Sequence, residues 1–235
     1  MFFAAVFFAA CGGSEDKTEA LFQAIIINDV PRVQKLVKAG ADLDAEIKRE
    51  DMGLTPLMLA AMWGNIPVMK ILLEAGADPN KKCDAFGETA LTGAAGCDAK
   101  DKKMCAEAVI LLIKAGADPN VKSKAGMTPV IVAAMSGNPY TIEALVEEGA
   151  NINARLDNNE STPLMMAAFT AVNNEESKKV VEALLEAGAD PGAEDSKGRT
   201  AAQAALEAEK IAADSAGKKR ALEVYDILIK AEKKK

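Results

Sequence analysis

Four aspartates, Asp42, Asp78, Asp118 and Asp190, and four cysteines, Cys11, Cys83, Cys97 and Cys105, are the side chains of this 235-residue chain best suited to chemistry. Paired carboxylates could serve as general acid and base, and cysteines as nucleophiles or metal ligands. The chain contains no histidine, which removes Ser-His and Cys-His nucleophilic catalysis and every histidine metal centre. Cys83, Cys97 and Cys105 are too few and too scattered for a metal site on their own. No G-x-x-x-x-G-K phosphate loop is present. The residues thus point to no catalytic group, no metal and no cofactor, and the chain is not expected to be an enzyme.

The aspartates have a different explanation, because each follows the same phrase. Gly40-Ala41-Asp42, Gly76-Ala77-Asp78-Pro79-Asn80, Gly116-Ala117-Asp118-Pro119-Asn120, Gly149-Ala150-Asn151 and Gly188-Ala189-Asp190-Pro191 recur at a period of about 33 residues or slightly more. At one place in every unit, such aspartates are expected to bond backbone in turns. A second phrase runs out of phase with the first: Thr55-Pro56-Leu57, Thr89-Ala90-Leu91, Thr128-Pro129-Val130, Thr162-Pro163-Leu164 and Thr200-Ala201-Ala202. Threonine suits a helix N-cap and proline the first helical position. The helix so opened runs through a small pair such as Ala60-Ala61 or Ala133-Ala134, and a second helix follows with apolar residues on a 3-4 spacing, as in Val68, Ile71 and Leu72. The recurring glycine then suits the left-handed position past a helix end. Each unit reads as helix, turn, helix and extended loop.

Both phrases resemble the ankyrin repeat. The resemblance covers about residues 18–231 and implies an all-α ankyrin-repeat solenoid of about six helix-turn-helix units joined by β-hairpin-like loops, with degenerate terminal units acting as caps. The units fall at about 18–46, 47–82, 83–122, 123–155, 156–194 and 195–231, within one domain of residues 18–235. Two departures carry structural expectations. The family's histidine in the Thr-Pro-Leu-His phrase is replaced by Met58, Thr92, Ile131, Met165 and Gln203, which should leave the local network without its centre. Glu160 stands where Gly53, Gly87, Gly126 and Gly198 serve as the hairpin glycine, so the fifth hairpin is expected to be distorted. Two insertions, Asp98–Met104 and Ala171–Lys179, fall in equivalent inter-helix turns and are expected to project from one side and lengthen that wall of the groove.

The first residues are of another kind. The apolar stretch 1–10 ending at Phe8-Ala9-Ala10-Cys11 resembles the lipobox of bacterial lipoproteins, which implies a signal remnant at 1–10, lipidation of Cys11 and a tether at 11–17. Gly12 after the cysteine implies sorting to the outer membrane of the bacterial cell envelope, with the repeats facing the periplasm. In that oxidising compartment Cys97 and Cys105, which bracket the first insertion, form a candidate disulfide, whose closure would contribute roughly 2 to 3 kcal/mol. Cys83, at the other end of the unit, is expected to be free.

What remains is a surface. By resemblance to the family, partners are held by the concave groove of hairpin tips and the residues after each small pair. Here those are Ile26, Ile27, Met52, Leu54, Met62, Trp63, Phe86, Glu88, Met127, Met135 and Phe169, a set more apolar than a solvated face needs. Trp63 reads as the leading anchor. The 35 acidic residues outnumber the 28 basic ones, which argues against nucleic-acid binding. The expected function is that of a non-catalytic protein-binding module at the envelope, with an immunity, inhibitor or companion protein of a periplasmic enzyme or toxin as the alternative; the reading from another class is a carrier of a small apolar ligand or lipid. The partner is expected to be a periplasmic or envelope protein.

Overall fold

The computed structural model describes residues 16–49, 52–97, 99 and 101–234. The apolar stretch 1–10 and Cys11 lie outside the described residues. Among the described residues twelve α-helices form six successive pairs: α1 (Lys17–Ile26) with α2 (Val30–Lys38), α3 (Pro56–Met62) with α4 (Ile66–Glu74), and α5 (Ala90–Ala95) with α6 (Lys102–Lys114). Next come α7 (Pro129–Ser136) with α8 (Pro139–Glu147), α9 (Pro163–Thr170) with α10 (Ser177–Glu186), and α11 (Ala201–Ile211) with α12 (Ser215–Glu232). The first helices of the pairs pack on one another in order as an inner row, and the second helices do the same as an outer row. Alanine makes this spacing possible. Ala60, Ala61, Ala94, Ala95, Ala133, Ala134, Ala167 and Ala168 are all fully buried where inner helices meet. The core is a continuous layer running the length of the stack rather than a central cluster.

The histidine substitutions leave more of the helix caps intact than their chemistry suggests. The amide of Thr55 donates to Met58 Sδ at 3.5 Å, that of Thr89 to Thr92 Oγ1 at 2.9 Å, that of Thr162 to Met165 Sδ at 3.4 Å and that of Thr200 to Gln203 Oε1 at 2.9 Å. A sulfur, hydroxyl or amide oxygen thus replaces the imidazole in reaching back to the cap. Ile131 has no acceptor to offer, and in its unit the buried Thr128 Oγ1 has no partner.

The fifth hairpin is not distorted. Glu160 adopts φ 59°, the left-handed conformation of Gly87 (67°), Gly126 (77°) and Gly198 (71°). Its bonds repeat those of the third unit: Glu160 N–H to Leu156 O at 3.0 Å and Leu156 N–H to Ser161 O at 3.1 Å, against Gly87 to Cys83 at 3.0 Å and Cys83 to Glu88 at 2.8 Å. The hairpin's own backbone bonds hold the turn, and Glu160 bears the backbone strain that glycine avoids. Glycine is needed more strictly at Gly126, where an added Cβ would lie 2.6 Å from the Asp157 backbone nitrogen of the next hairpin. Gly53 departs from the expected role. It sits in the strand Met52–Leu54, paired antiparallel with Ile47–Arg49 and facing Lys48.

The second insertion does not project as a free wall. A 3-10 turn at Ala171–Asn173 folds onto α12, with Ala171 and Val172 buried and Val172 packed against Ala208 and Ala221. The Arg220 guanidinium donates to the carbonyls of both Ala171 and Val172. In the first insertion, Ala99 and Met104 lie over the turn at Gly64, in van der Waals reach of a Cβ placed there. Buried apolar area holds the second segment down.

The recurrent aspartates do accept from nearby amides: Asp78 from Asn80 at 2.8 Å and Asp118 from Asn120 at 2.9 Å. The asparagine two residues on does more. Asn80 Oδ1 accepts from the Asp118 amide at 2.9 Å while its Nδ2 donates to Gly116 O at 2.7 Å, and Asn120 and Asn153 repeat both bonds to the unit that follows. A ladder of asparagines therefore stitches the second unit through to the fifth. At its start Asp44 accepts from the Asp78 amide at 2.9 Å but has no amide to donate. Asp44→Asn is expected to add the missing bond, to Gly76 O, and raise the unfolding free energy by about 0.5 to 1 kcal/mol, as measured by urea denaturation. A loss of stability would show that the first interface is not organised like the others.

Candidate functional site

The groove residues named from the sequence divide in three. Met62, Phe86, Glu88, Met135 and Phe169 are exposed, with Phe86 at 49% and Phe169 at 41%. Ile26, Leu54 and Met127 are partly buried and packed against the central apolar layer. The side chain of Met52 is outside the described ones. Ile27 and Trp63 are exposed, at 62% and 47%, but stand at the C-caps of α1 and α3. They stand at the edge where inner helices turn into outer ones.

The third unit forms a saddle in the groove floor. A Cβ on Gly93 would lie 3.0 Å from Met62 Cγ, and one on Gly96 would lie 3.0 Å from Val132 Cγ1, so the neighbouring side chains lie across the glycines. Cys97 and Cys105 meet as a disulfide beside this saddle, their Cα atoms 5.7 Å apart. Cys83 is free and buried.

Between the fifth and sixth units the groove deepens into a pocket of about 370 Å³. Met165, Met166, Phe169 and Ala204 make an apolar floor and wall, and Asn159, Ser161, Asp195, Arg199, Thr200 and Glu207 complete its lining. The polar rim is locked. Arg199 Nε and Nη2 donate to Asp195 Oδ2 at 2.8 and 2.6 Å, and Nη1 donates to Glu207 Oε2 at 2.6 Å. Asp195 Oδ1 accepts from the amides of Lys197 and Arg199 at 2.8 and 3.0 Å. The Arg199 guanidinium, aided by these amides and opposed by burial, holds the Asp195 carboxyl down to about 2. This pocket was missed from the sequence. Its signal is Met166, which stands where the third unit has Gly93, together with Asp195 in the hairpin position of Ser123. A second cleft, of about 460 Å³ and more polar, lies at the turn edge among Lys102, Met135, Ser136, Thr170 and the segment 173–176.

Among the described residues no three His, Cys, Asp or Glu side chains are grouped so as to hold a metal ion. No described helix is long and apolar enough to cross a membrane.

The stacked pairs, their hairpins and their glycine-ended outer helices define a helical-repeat solenoid. A family model described as ankyrin repeats (3 copies) matches residues 4–83, 21–105, 75–155 and 97–195, and the chain belongs to the ankyrin-repeat family. It is similar to proteins called "Ankyrin repeat, SAM and basic leucine zipper domain-containing protein 1". That of Dasypus novemcinctus is 33% identical over 138 residues, 58% of this chain and 28% of the relative. That of Neofelis nebulosa is 34% identical over 129 residues, 54% of this chain and 26% of the relative. The chain thus spans about a quarter of the length of these relatives.

Proposed function

We propose that this solenoid binds a partner protein by seating apolar side chains in the groove from Phe86 to the pocket under Phe169. Ankyrin repeats generally mediate protein-protein interaction and are typically non-enzymatic. The observation that carries the reading is the half-exposed row of Met62, Phe86, Met135 and Phe169, which the solenoid itself does not need for its core. Methionines let such a surface adapt to its occupant, and the 370 Å³ pocket exceeds the roughly 150 Å³ that accepts a benzene ring. A photoreactive side chain at Met135 is expected to crosslink the partner, while one at the outer-helix residue Lys70 is not. Equal crosslinking from both positions would sink the groove assignment.

Attachment to the bacterial envelope through lipidated Cys11 belongs to the same proposal. It is supported by the lipobox-like Phe8-Ala9-Ala10-Cys11. In this reading the partner is an envelope or periplasmic protein, and the role is that of a companion, inhibitor or immunity protein. Cys11→Ser is expected to move the protein from the membrane pellet to the soluble fraction after osmotic release. Retention in the pellet would remove the anchor.

A further inference from the structure

The residues four and seven places after the cap threonine line the inner helices towards the last unit. They are Val132 and Met135 in the fourth unit, Met166 and Phe169 in the fifth, and Ala204 and Glu207 in the sixth. The step from Met166 down to Ala204 opens the pocket of about 370 Å³ beside the half-exposed Phe169 ring. That volume is more than twice the roughly 150 Å³ that holds benzene, so a flat group of two fused rings has room.

Charge decides first what enters. The almost fully buried Asp195 is spent: Oδ2 accepts from Nε and Nη2 of Arg199, and Oδ1 accepts from two backbone amides. Glu207 Oε2 accepts from Arg199 Nη1 at 2.6 Å. An anion entering here would meet two carboxylates against one guanidinium, and a cation would compete with Arg199 for the partners that hold it. A neutral occupant meets neither cost.

Among neutral side chains the lining favours a ring. Three bonds in its own plane pin the Arg199 guanidinium to its carboxylates, so what it still offers an occupant is its flat face, on which aromatic rings stack. Met165 and Met166 add polarizable sulfur and Phe169 a ring, and both kinds of group favour an aromatic partner over an aliphatic one. Met165 is fixed in place, because its Sδ accepts from the Thr162 amide at 3.4 Å. Glu207 bonds Arg199 through Oε2, which leaves Oε1 to accept an indole N–H or a phenol O–H. On the reading that the groove holds a partner protein, we propose that this pocket takes an aromatic side chain of that partner, tryptophan or tyrosine, against Arg199, Met166 and Phe169.

The test uses the full chain with isotope-labelled methionine methyl groups, titrated with N-acetyltryptophanamide or N-acetylleucinamide and followed by nuclear magnetic resonance. The indole amide is expected to shift the Met166 methyl resonance in a saturable way and to bind at least about tenfold more tightly than the leucine amide. Ala204→Trp is expected to abolish the shift. Arg199→Lys keeps the charge but loses the plane, and is expected to remove the preference for the ring; should it not fold, Phe169→Leu is read in the same way. Equal binding of the two amides, no response to either, or an undiminished preference in these variants overturns the proposal. Indoleacetate binding more tightly than the indole amide also overturns it and reassigns the pocket to a free aromatic acid. The crosslink from Met135 does not depend on the ring. A crosslinked partner without the indole response overturns the aromatic anchor and leaves the groove reading standing, whereas an indole response without a crosslinked partner sinks the groove reading and leaves only the ring selectivity of the pocket.

Discussion

Replacing Phe86 and Phe169 together by alanine is expected to weaken partner binding by at least about 100-fold while leaving the fold intact. The magnitude follows from aromatic anchors, each of which typically contributes about 2 kcal/mol or more when truncated at the centre of an interface. The sparing of the fold follows from exposure: both rings are more than two-fifths accessible and neither belongs to the buried layer. Binding would be read by calorimetry with the crosslinked partner once isolated, and stability by thermal unfolding of the same samples. Two outcomes separate the possibilities. Lost binding with an unchanged midpoint places the rings at the interface, whereas unchanged binding sends the search for the contact surface elsewhere on the solenoid. Ala204→Trp, which fills the pocket from its wall, should reproduce the loss if that pocket holds one of the partner's side chains.

Arg199→Ala is expected to cost about 2 to 3 kcal/mol of unfolding free energy, the largest stability effect among the groove residues. The Asp195 side chain is almost fully buried, and removing the guanidinium strands its carboxylate with only two backbone amides as partners. Breaking a fully buried pair typically costs about 3 to 5 kcal/mol, and the one-third exposure of Arg199 reduces that figure. The pH dependence has a definite sign. The folded carboxyl titrates near 2 against an ordinary 3.8, so the ionised form is the one that folding favours. Its contribution is complete above about pH 5 and is lost as the pH falls through the folded value near 2. Relative to Asp195→Asn, the native protein should therefore lose about 2 kcal/mol more on going from about pH 5 to about pH 2. Parallel stability curves for the two proteins would show that the pair contributes nothing specific to the last unit.

The strained hairpin and the methionine caps show where residue-level reasoning failed and why. Glu160 at a glycine position suggested a deformed turn, yet the hairpin's own bonds hold the backbone in the same left-handed conformation. Met58 and Met165 suggested a vacant network, yet a thioether sulfur still reaches the cap amide. In both cases the framework of the stack decides, and the side chain adapts. Ile131 marks the limit of that tolerance, since its side chain offers the Thr128 amide no acceptor.

Local chemistry was enough to determine the repeat itself. Cap threonines, N1 prolines, paired alanines and helix-ending glycines act within a few residues of one another, so their spacing carries the number of units, the register and the all-α class. The absence of histidine likewise bore on function without any coordinates. Only the tertiary structure decided which apolar side chains remain free. Ile26, Leu54 and Met127 share the register positions of exposed residues but lean on the apolar layer, and Ile27 and Trp63 stand exposed at helix C-caps. The pocket between α9 and α11 and the asparagine ladder each join residues about one repeat apart in the chain, and stacking alone makes them adjacent. A repeat writes its own unit locally, whereas a surface shared by several units arises only from the rise and lateral packing between them.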